Sequence, residues 1–407
     1  MVMGGDERPL AGIRVLDLST VVMGPYAGQL LGDMGADVVK VEAPEGDSTR
    51  QTGPSTEAGM AALFLGVNRN KRSIVLNLKR PQGRAALLAL VRNADVFMHN
   101  LRPQKLDALG ISPTALLSLN PRLVYAGLHG FGEDGPYGGS PAYDDIIQGM
   151  AGSARLMQML GGEPRYFPAI SADKTGGLFA VNGIMAALIR RERTGKGGFV
   201  EIPMFESMVA FNLVEHMYGL HFDPPKGGLG YPRVLAEWRR PYRTSDGYIC
   251  MMPYTDQHWR SFFNEIDLPE LATDPRFVDI AARTLNIESL YELAGTAIGQ
   301  RSTEAWIEVS KRAEIPAAPV ASLEQIIDDT HLRATKFFVS KEDPTMGNLL
   351  FPGVPLKFDR ERPDISIPPR LGEHTAAILA EAGLTTQEIA EIIEANTSSP
   401  SVEGAFA

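Results

Sequence analysis

An isolated acidic residue, Asp173, lies in the stretch of this chain whose residue pattern most clearly indicates chemistry, residues 168–198. Gly176 and Gly177 follow it, and an amphipathic stretch then runs into the cationic residues 190–193. An acid at the start and basic residues at the end are typical of a helix, so we expect a long helix with Asp173 at its amino end. The helix dipole there favours the ionised form of a carboxyl group.

These residues alone leave two roles open for Asp173. An ionised carboxylate on a pre-organised turn can act as a nucleophile in covalent catalysis. It can equally be an N-terminal cap, which accepts hydrogen bonds from the first N–H groups of a helix. The local sequence favours the cap.

The composition of the chain restricts the classes of function. Its 407 residues, 44% hydrophobic and 22% charged, predict two or three globular domains. The net charge of −10 argues against a nucleic-acid or anionic-membrane partner. The single cysteine, Cys250, excludes an intrachain disulfide and a cysteine metal cluster. Without an apolar leader or an apolar run of bilayer length, we expect a cytoplasmic protein.

Several well-known chemical motifs do not occur in the sequence. The loop after the first predicted strand, STVVMGPYAG, is not a G-x-G-x-x-G fingerprint, so we expect neither nicotinamide nor flavin. The phosphate-binding G-x-x-x-x-G-K-[ST] loop, the G-x-S-x-G elbow and H-E-x-x-H are missing too. The seven histidines are scattered without the spacing of metal ligands, so we expect no metal.

The first half of the chain alternates strand patterns with helix patterns. Short apolar runs predict strands at residues 13–18, 37–41, 96–98 and 123–128. Helix patterns separate them at residues 24–34, 84–92 and 114–119. This alternation predicts an α/β domain with a doubly wound parallel sheet, whose ligands bind beyond the carboxyl ends of the strands.

The local composition of the sequence changes near residue 222, where Pro and Gly become frequent. An Asp-Gly turn then predicts a hairpin over 242–253, and helix patterns follow at 257–266, 286–299 and 303–312. The predicted organisation is a large Rossmann-like domain (1–222), a linker (223–241), a smaller inserted α+β domain (242–314), a linker (315–335) and a C-terminal part that returns to the large domain (336–407).

Seven separated segments, taken together and in order, carry a family resemblance. They are PLAGIRVLD (9–17), GADVVKVE (35–42), NKRSIVLNLK (70–79), GFGEDGP (130–136), the segment around Asp173, RTGKG (193–197) and LGEHT (371–375). The set resembles the family III coenzyme A transferases, or CaiB/BaiF group, which includes formyl-CoA transferase, carnitine-CoA transferase and α-methylacyl-CoA racemase. The resemblance implies a homodimer in which each chain forms an open ring and the two rings interlock.

The resemblance changes the balance between the two roles of Asp173. In transferases of this family the acid at its position is the nucleophile, which attacks an acyl-CoA to form a mixed anhydride and then an aspartyl-CoA thioester. A small carboxylic acid finally accepts the CoA. Gly176 and Gly177 would let the backbone approach the reacting centre, and their N–H groups are candidate oxyanion donors.

Tyr143 favours acyl transfer over proton abstraction. The racemase branch uses a histidine in a Gly-His-Asp triplet, and Tyr143 stands where that histidine would be. A tyrosine, with an ordinary pKa of about 10, is a poor base at neutral pH. The resemblance therefore implies that Tyr143 lines the thioester pocket and that Asp144 assists or orients, whereas Asp145 fits a helix start equally well.

The resemblance also implies which segments hold coenzyme A. These residues are Val22, Met23, Arg72, Leu76, Asn77, Leu78, Lys79, Asn100, Leu101, Arg102 and Lys105, with Leu76-Asn77-Leu78 expected on a strand. Taken singly, each cation is better explained as a solvated surface charge. Some members have an arginine that holds CoA where this chain has Ala43, so another cation, such as Arg50, would have to replace it.

The nature of the acceptor acid depends on an arginine-rich segment, residues 227–243. The glycine-rich lid of formyl-CoA transferases is missing there, and Arg233, Arg239, Arg240 and Arg243 occur instead. Guanidinium groups bind carboxylates in a two-pronged fork, which suits a dicarboxylate. A basic linker that contacts the partner subunit is an equal interpretation. Two further classes stay open: an α-methylacyl-CoA racemase, and a non-catalytic CoA-binding protein on the same fold.

Overall fold

The computed structural model describes residues 8–397. Its strands are β1 (Arg14–Asp17), β2 (Asp37–Glu42), β3 (Lys71–Val75), β4 (Val96–His99), β5 (Val124–His129), β6 (Gly198–Pro203), β7 (Tyr242–Arg243), β8 (Tyr248–Met251), β9 (Ala317–Pro319), β10 (Phe338–Asp343) and β11 (Gly347–Pro352).

Helices connect most of these strands. They are α1 (Met23–Asp33), α2 (Ala62–Val67), α3 (Pro81–Arg92), α4 (Pro103–Leu109), α5 (Pro113–Leu119), α6 (Asp144–Met150), α7 (Ser153–Met159), α8 (Ser171–Thr194), α9 (Met204–His216), α10 (Pro232–Leu235), α11 (Asp256–Glu265), α12 (Ile280–Leu285), α13 (Ile287–Ile298), α14 (Thr303–Ala313), α15 (Leu323–Ile327), α16 (Thr330–Ala334), α17 (Thr375–Glu381) and α18 (Thr386–Thr397). Short 3₁₀ turns occur at Ser48–Gln51, Tyr218–His221 and Pro269–Thr273.

The central sheet is parallel and confirms the α/β prediction. Among the described residues it has six strands in the order β3-β2-β1-β4-β5-β6. Strand β1 pairs with β2 on one side and with β4 on the other. The chain therefore winds in one direction from β1 to β3 and in the other from β4 to β6. Ligands of doubly wound sheets bind where this direction changes, beyond the carboxyl ends of β1 and β4.

Both faces of the sheet are covered, and strands β1 to β5 are buried in most of their positions. Helices α1 and α8 contribute buried side chains such as Leu31 and Ile184 to one hydrophobic core. Helices α3 and α17 contribute Leu87 and Ile378 to the core that includes Phe97 of β4. The α1, α6 and α8 side of the sheet carries Asp173.

The strands of this fold differ from the sequence prediction in several places, and β6, an edge strand of the central sheet, is one that was not predicted. Strand β3 ends at Val75, so residues 76–78 follow the strand instead of forming it. The antiparallel pair β10–β11 was not predicted. Its strands mix exposed and half-buried residues, and so lack the continuous apolar run that identified the central strands.

The described part of the chain divides into two compact units. One comprises the residues up to 151, 168–211 and those from 333 onward, and the other comprises 152–167 and 212–332. The second unit contains the predicted hairpin, β7–β8, extended by β9, and a core of aromatic side chains that includes Trp259 and Trp306. This division differs from the boundaries predicted from composition. Residues 152–167 join the second unit, where the Asn212 amide donates to the Ser153 hydroxyl at 2.9 Å.

Candidate active site at the amino end of helix α8

Asp173 lies in the first turn of α8 with 8% of its surface exposed. The residue at the cap position is Ile170, whose side chain has no hydrogen-bonding group. Asp173 therefore does not occupy the N-cap position that the local sequence favoured. Some other group must accept the hydrogen bonds of the first N–H groups of α8, because helix starts buried without partners are unfavourable.

Asp144, at the start of α6, supplies that group. Its Oδ1 atom accepts the backbone N–H of Ala172 at 2.7 Å and that of Asp173 at 3.0 Å. Its Oδ2 atom accepts a hydrogen bond from Gln148 Nε2 at 2.6 Å. The carboxylate is buried, with 9% exposed. The cap of α8 thus comes from another helix, and it fixes the backbone of the residue that carries the candidate nucleophile.

The pKa of Asp173 is raised to about 6, first because the carboxyl group is buried and second because the Asp144 charge lies close to it. A backbone hydrogen bond from Met23, at the start of α1, acts in the opposite direction. This outcome contradicts the expectation that the helix dipole dominates. Burial and a like charge both disfavour the ionised form, and here they outweigh the dipole. The Asp173 carboxyl group is therefore mostly ionised above pH 6. Because it is buried, its carboxylate has fewer water molecules around it than that of an exposed aspartate.

Gly176 and Gly177 lie in the second turn of α8 and face α1. A Cβ atom on Gly176 would stand 2.7 Å from Met23 Cε, and one on Gly177 would stand 2.9 Å from the Met23 carbonyl oxygen. The glycines therefore permit the close packing of α8 on α1. Beyond the first four residues, helix N–H groups bond to carbonyls of the preceding turn. The prediction that these two N–H groups serve an oxyanion is corrected on that ground.

A cleft of about 260 Å³ opens beyond the carboxyl ends of β1, β4 and β5. Its lining includes Thr20, Val21, Asn100, Leu101, Arg102, Pro103, His129, Gly130, Phe131, Glu133, Gly139, Ser140, Pro141, Ala142 and Tyr143. Four of the residues predicted from the sequence meet here: Tyr143, Asn100, Leu101 and Arg102. Tyr143 is 68% exposed and directly precedes Asp144, so the cleft borders the residue whose carboxylate caps α8.

The remaining predicted residues near this cleft have simple roles. Asn100 joins the two loops, because its side chain accepts from the Thr20 N–H at 3.1 Å and donates to the Thr20 carbonyl at 2.8 Å. Val22 and Met23 are buried beside the lining residue Val21. Lys105 is exposed on α4, one turn beyond Arg102. Arg102 and Lys105 thus offer accessible positive charge near the cleft.

Sequence reasoning missed two buried histidines at the ends of central strands. His99 Nδ1 accepts the Leu101 N–H at 3.1 Å, and burial lowers the pKa of His99 to about 3. His129 Nδ1 lies 3.2 Å from a Glu133 oxygen and 3.5 Å from a Glu201 oxygen, outside hydrogen-bond geometry. His129, Glu133 and Glu201 each offer one atom that could bind a shared metal ion. A polar residue at the carboxyl end of an apolar strand run is the sequence signal that would have identified them.

The other predicted CoA-binding residues lie elsewhere. Arg72 is near the amino end of β3, whereas Leu76, Asn77, Leu78 and Lys79 follow its carboxyl end. Arg72 binds the Asp37 carboxylate at 2.7 Å and the Glu381 carboxylate at 2.8 Å. Leu76 is buried, and the Asn77 N–H donates to the Asn396 side chain at 2.9 Å. Arg72 is engaged by two carboxylates, so a phosphate would have to compete with them for its guanidinium group.

Arg50 does not replace the arginine missing at Ala43. Its guanidinium group is 3% exposed and donates to both oxygens of Glu42 at 2.8 Å. It also donates to the Pro369 carbonyl at 3.2 Å and packs on the Phe64 ring. The guanidinium N–H groups of Arg50 are thus bonded within the protein and do not point toward a ligand in solvent.

The predicted arginine cluster, in the second unit, divides into packed and exposed members. Arg233 donates to the Tyr291 hydroxyl at 2.8 Å and lies over the Tyr254 ring. Arg240 is exposed and stacks on Trp238, and Arg239 is exposed too. Arg233 therefore has a structural explanation, whereas Arg239 and Arg240 are accessible to a ligand or a partner.

Comparison with known proteins adds an independent observation. A sequence profile of CoA-transferase family III matches residues 10–375. The chain is 34% identical over 400 residues to a succinate–glutarate CoA-transferase of Agrobacterium fabrum, which covers 93% of this chain and 97% of that protein. It is also 34% identical to an acetyl-CoA:oxalate CoA-transferase of Acetobacter aceti, over 92% of this chain and 96% of that protein.

A solved structure agrees with these relatives. The crystal structure of a CaiB/BaiF family protein from Brucella suis superposes with a TM-score of 0.76 at 32% identity, and it covers 93% of this chain and all (100%) of that chain. The parallel sheet, the ordered motifs and these matches lead to one conclusion: this chain belongs to CoA-transferase family III.

Proposed function

We propose that this protein transfers coenzyme A from an acyl-CoA to a carboxylic acid, with Asp173 as the covalent nucleophile. The observation that carries the proposal is the Asp173 carboxyl group, held in the buried first turn of α8 with its pKa raised to about 6. A group perturbed by burial and by a specific charged neighbour beside a cleft is a functional-site signature.

The reaction proceeds by exchange at three carbonyl carbons, those of the donor acid, Asp173 and the acceptor acid. An Asp173 oxygen attacks the thioester carbonyl, the C–S bond breaks, and CoA leaves as a thiolate. The thiolate then attacks the Asp173 carbonyl of the mixed anhydride and expels the donor acid, which leaves an aspartyl-CoA thioester. The acceptor carboxylate attacks this thioester and releases the thiolate again. The thiolate finally attacks the acyl carbon of the acceptor, and the Asp173 carboxylate is regenerated.

The surroundings of Asp173 suit this exchange. A carboxylate with little solvent around it is a stronger nucleophile than a hydrated one, because it loses less solvation when it attacks. The Asp144 cap holds the first turn of α8 through the N–H groups of Ala172 and Asp173. The backbone N–H group of Met23 donates a hydrogen bond to Asp173 and is therefore a candidate donor for a negative oxygen that forms there.

Coenzyme A would enter the cleft at the ends of β1, β4 and β5. Arg102 and Lys105 are the accessible cations for its phosphates, and Val21 and Leu101 offer apolar contacts. Tyr143 lies on the same lining, one residue from Asp144, and so would face the thioester end. The location follows the general rule for doubly wound sheets.

A dicarboxylate is the proposed class of acceptor or donor acid. The relatives named succinate–glutarate and acetyl-CoA:oxalate CoA-transferases support it. The exposed Arg239 and Arg240 could bind a second carboxylate, or the basic segment could contact a partner subunit instead. An assay of succinyl-CoA against mono- and dicarboxylic acids separates these readings. Use of monocarboxylates alone, with Arg239→Ala and Arg240→Ala unaltered in rate, would contradict the dicarboxylate role.

A homodimer of interlocked rings is part of the same proposal. Helix α8 leaves Leu178 and Ile189 half or more exposed, at 50% and 60%, although another face of α8 packs in the core. Exposed apolar side chains on a core helix are typical of a subunit interface. We expect size-exclusion chromatography with light scattering to report twice the monomer mass, and a monomer would contradict this part.

Chemical trapping tests the nucleophile directly. Hydroxylamine, added with succinyl-CoA, should convert an acylated Asp173 to a hydroxamate that mass spectrometry locates on the peptide from α8. The Asp173→Asn variant is the control and should yield no adduct. Solvent deuterium uptake at the α-carbon of an acyl-CoA, without an acid acceptor and without an adduct at Asp173, would instead indicate a racemase. Bound CoA with neither result would indicate a binding protein.

A further inference from the structure

Gln148 lies one turn after Asp144 on α6, and its side chain is buried beside the start of α8. Its Nε2 group donates to Asp144 Oδ2 at 2.6 Å and to the Ala169 carbonyl at 3.1 Å. The spacing of four residues places Asp144 and Gln148 on the same face of the helix. Both partners are hydrogen-bond acceptors, so the amide must present its NH₂ group to them.

The bond to Ala169 connects α6 to the chain that enters α8. Ala169 directly precedes Ile170, the residue at the cap position of α8. The Asp144 carboxylate is held on one side by Gln148 and on the other by the N–H groups of Ala172 and Asp173. Rotation of that carboxylate would break a hydrogen bond on one side or the other, so Gln148 determines its orientation.

We propose that Gln148 is a positioning residue for the transfer reaction. It fixes the Asp144 carboxylate against the first turn of α8, and thereby sets the orientation and the proton affinity of Asp173. The inference rests on the proposed function, and it adds to it a residue that acts through Asp144. Gln148 is 1% exposed, so its proposed effect is transmitted through buried contacts, which include the two hydrogen bonds described.

Asp144 is the charged residue that contributes to the shifted pKa of Asp173. The pKa of Asp173 is raised by burial first and by Asp144 second, and the backbone of Met23 on α1 lowers it. On α8 itself, Lys174 is exposed. Strands β5 and β6 also pack against α8, and their His129 and Glu201 side chains lie 3.5 Å from each other.

Methionine has a side chain nearly as long as that of glutamine but without an amide, so Gln148→Met removes both hydrogen bonds. The Asp144 carboxylate can then turn away from Asp173, so the like-charge repulsion weakens and the pKa of Asp173 falls. We expect the acid limb of the kcat/KM profile to move to lower pH, and kcat to fall by roughly tenfold to a hundredfold through misorientation of the nucleophile. The KM for acyl-CoA should stay near that of the wild type.

A matched control is Asn120→Leu. The Asn120 amide also ties backbone carbonyls, those of Val91 and Ala94 at 3.0 and 2.9 Å, but at the amino-terminal edge of the sheet. It should lower the thermal stability and leave the pH profile unchanged. If Gln148→Met does not fold, Gln148→Asn retains an amide that is too short to reach both partners, and its acid limb should shift in the same direction.

A direct titration separates this inference from the proposed function. Carbon-13 NMR of the protein labelled at the aspartate carboxyl carbon, with the Asp173 signal assigned by its loss in Asp173→Asn, needs no turnover. A lower titration midpoint in folded Gln148→Met supports the positioning role, even if no adduct ever forms on Asp173. An unchanged midpoint together with an unchanged kcat would overturn it.

Discussion

The carboxylate of Asp144 caps the helix whose first turn carries Asp173. One of its oxygens accepts the N–H groups of Ala172 and Asp173 at 2.7 and 3.0 Å, across 28 and 29 residues of sequence. The same charge contributes to the raised pKa of Asp173, to about 6. A single residue therefore both orders the backbone of the candidate nucleophile and delays its ionisation.

Removal of the Asp173 carboxylate should abolish transfer without loss of the fold. We expect Asp173→Asn to lower kcat by at least about a thousandfold, because a covalent step then has no nucleophile. Binding of CoA, measured by calorimetry, should persist. Asp145→Asn, which alters an exposed acid beside Asp144 on α6, serves as the control and should retain activity. Comparable activity in both variants would exclude Asp173 as the nucleophile.

Neutralisation of Asp144 should change the pH dependence of the reaction. Its charge raises the pKa of Asp173, so Asp144→Asn should lower that pKa and move the acid limb of kcat/KM to lower pH. We also expect kcat to fall by roughly tenfold, because the cap of α8 loses its charge. Steady-state rates measured between pH 4.5 and 8 test this, because that range spans the Asp173 pKa of about 6. A limb at the wild-type position would mean that burial alone sets the pKa.

The stability of the fold should also depend on Asp173. Its folded pKa of about 6 exceeds the ordinary 3.8, so ionisation costs the folded state more than the unfolded state. The stability present below pH 3.8 is therefore lost as the pH rises through about 6. By linkage we expect Asp173→Asn to raise the free energy of unfolding by about 1–3 kcal/mol at pH 8 and to have little effect at pH 4. Urea titrations at both pH values measure the difference, and equal effects would contradict it.

The contact between α8 and α1 should not tolerate a side chain at Gly177. A Cβ atom there would lie 2.9 Å from the Met23 carbonyl oxygen, which is backbone and cannot move aside easily. We expect Gly177→Ala to lower the free energy of unfolding by about 1–3 kcal/mol and to reduce kcat. Gly66→Ala in α2 is the control, since nothing lies within 4 Å of its added Cβ atom. It should be neutral or stabilising by about 0.5–1 kcal/mol, as helix propensity predicts. The reverse order of stabilities would show that the close packing is not required.

Two arginines should separate CoA binding from stability. Arg102 is exposed on the cleft, whereas Arg72 is bound to Asp37 and Glu381. We expect Arg102→Gln to raise the KM for acyl-CoA by roughly tenfold, more at low than at high salt, because a phosphate contact is screened by ions. Arg72→Gln should leave KM unchanged and lower the melting temperature. A raised KM in Arg72→Gln alone would instead place the CoA site beside Arg72 on β3.

Part of the site was predictable from local signals and part from the resemblance. The acid before a helix pattern identified Asp173 as a candidate, whereas the resemblance identified Asn100, Leu101 and Arg102, which the cleft brings together. Their position at the carboxyl edge follows from strand alternation, since parallel strands end on one side of a sheet. Tyr143 and Asp144 were identified by resemblance, and the structure places them at the cleft and at the cap of α8.

The roles of the arginines Arg50 and Arg72 could not be predicted from the sequence around them. An arginine beside a strand has the same sequence appearance whether it binds a phosphate or a carboxylate of the protein. Arg50 is engaged by Pro369, 319 residues away, and Arg72 by Glu381, 309 residues away. No spacing rule predicts such partners, because they depend on which distant segments pack against β2 and β3.

The sequence by itself determined the α/β class, the hairpin with its Asp-Gly turn and the long helix with Asp173 near its amino end, because apolar periodicity and turn chemistry act over a few residues. The tertiary structure decided the ionisation of Asp173. Burial and the Asp144 charge raise its pKa to about 6, against the direction that its helix position alone predicts. Desolvation and a facing charge depend on chain segments brought together from a distance, and those exist only once the chain has folded.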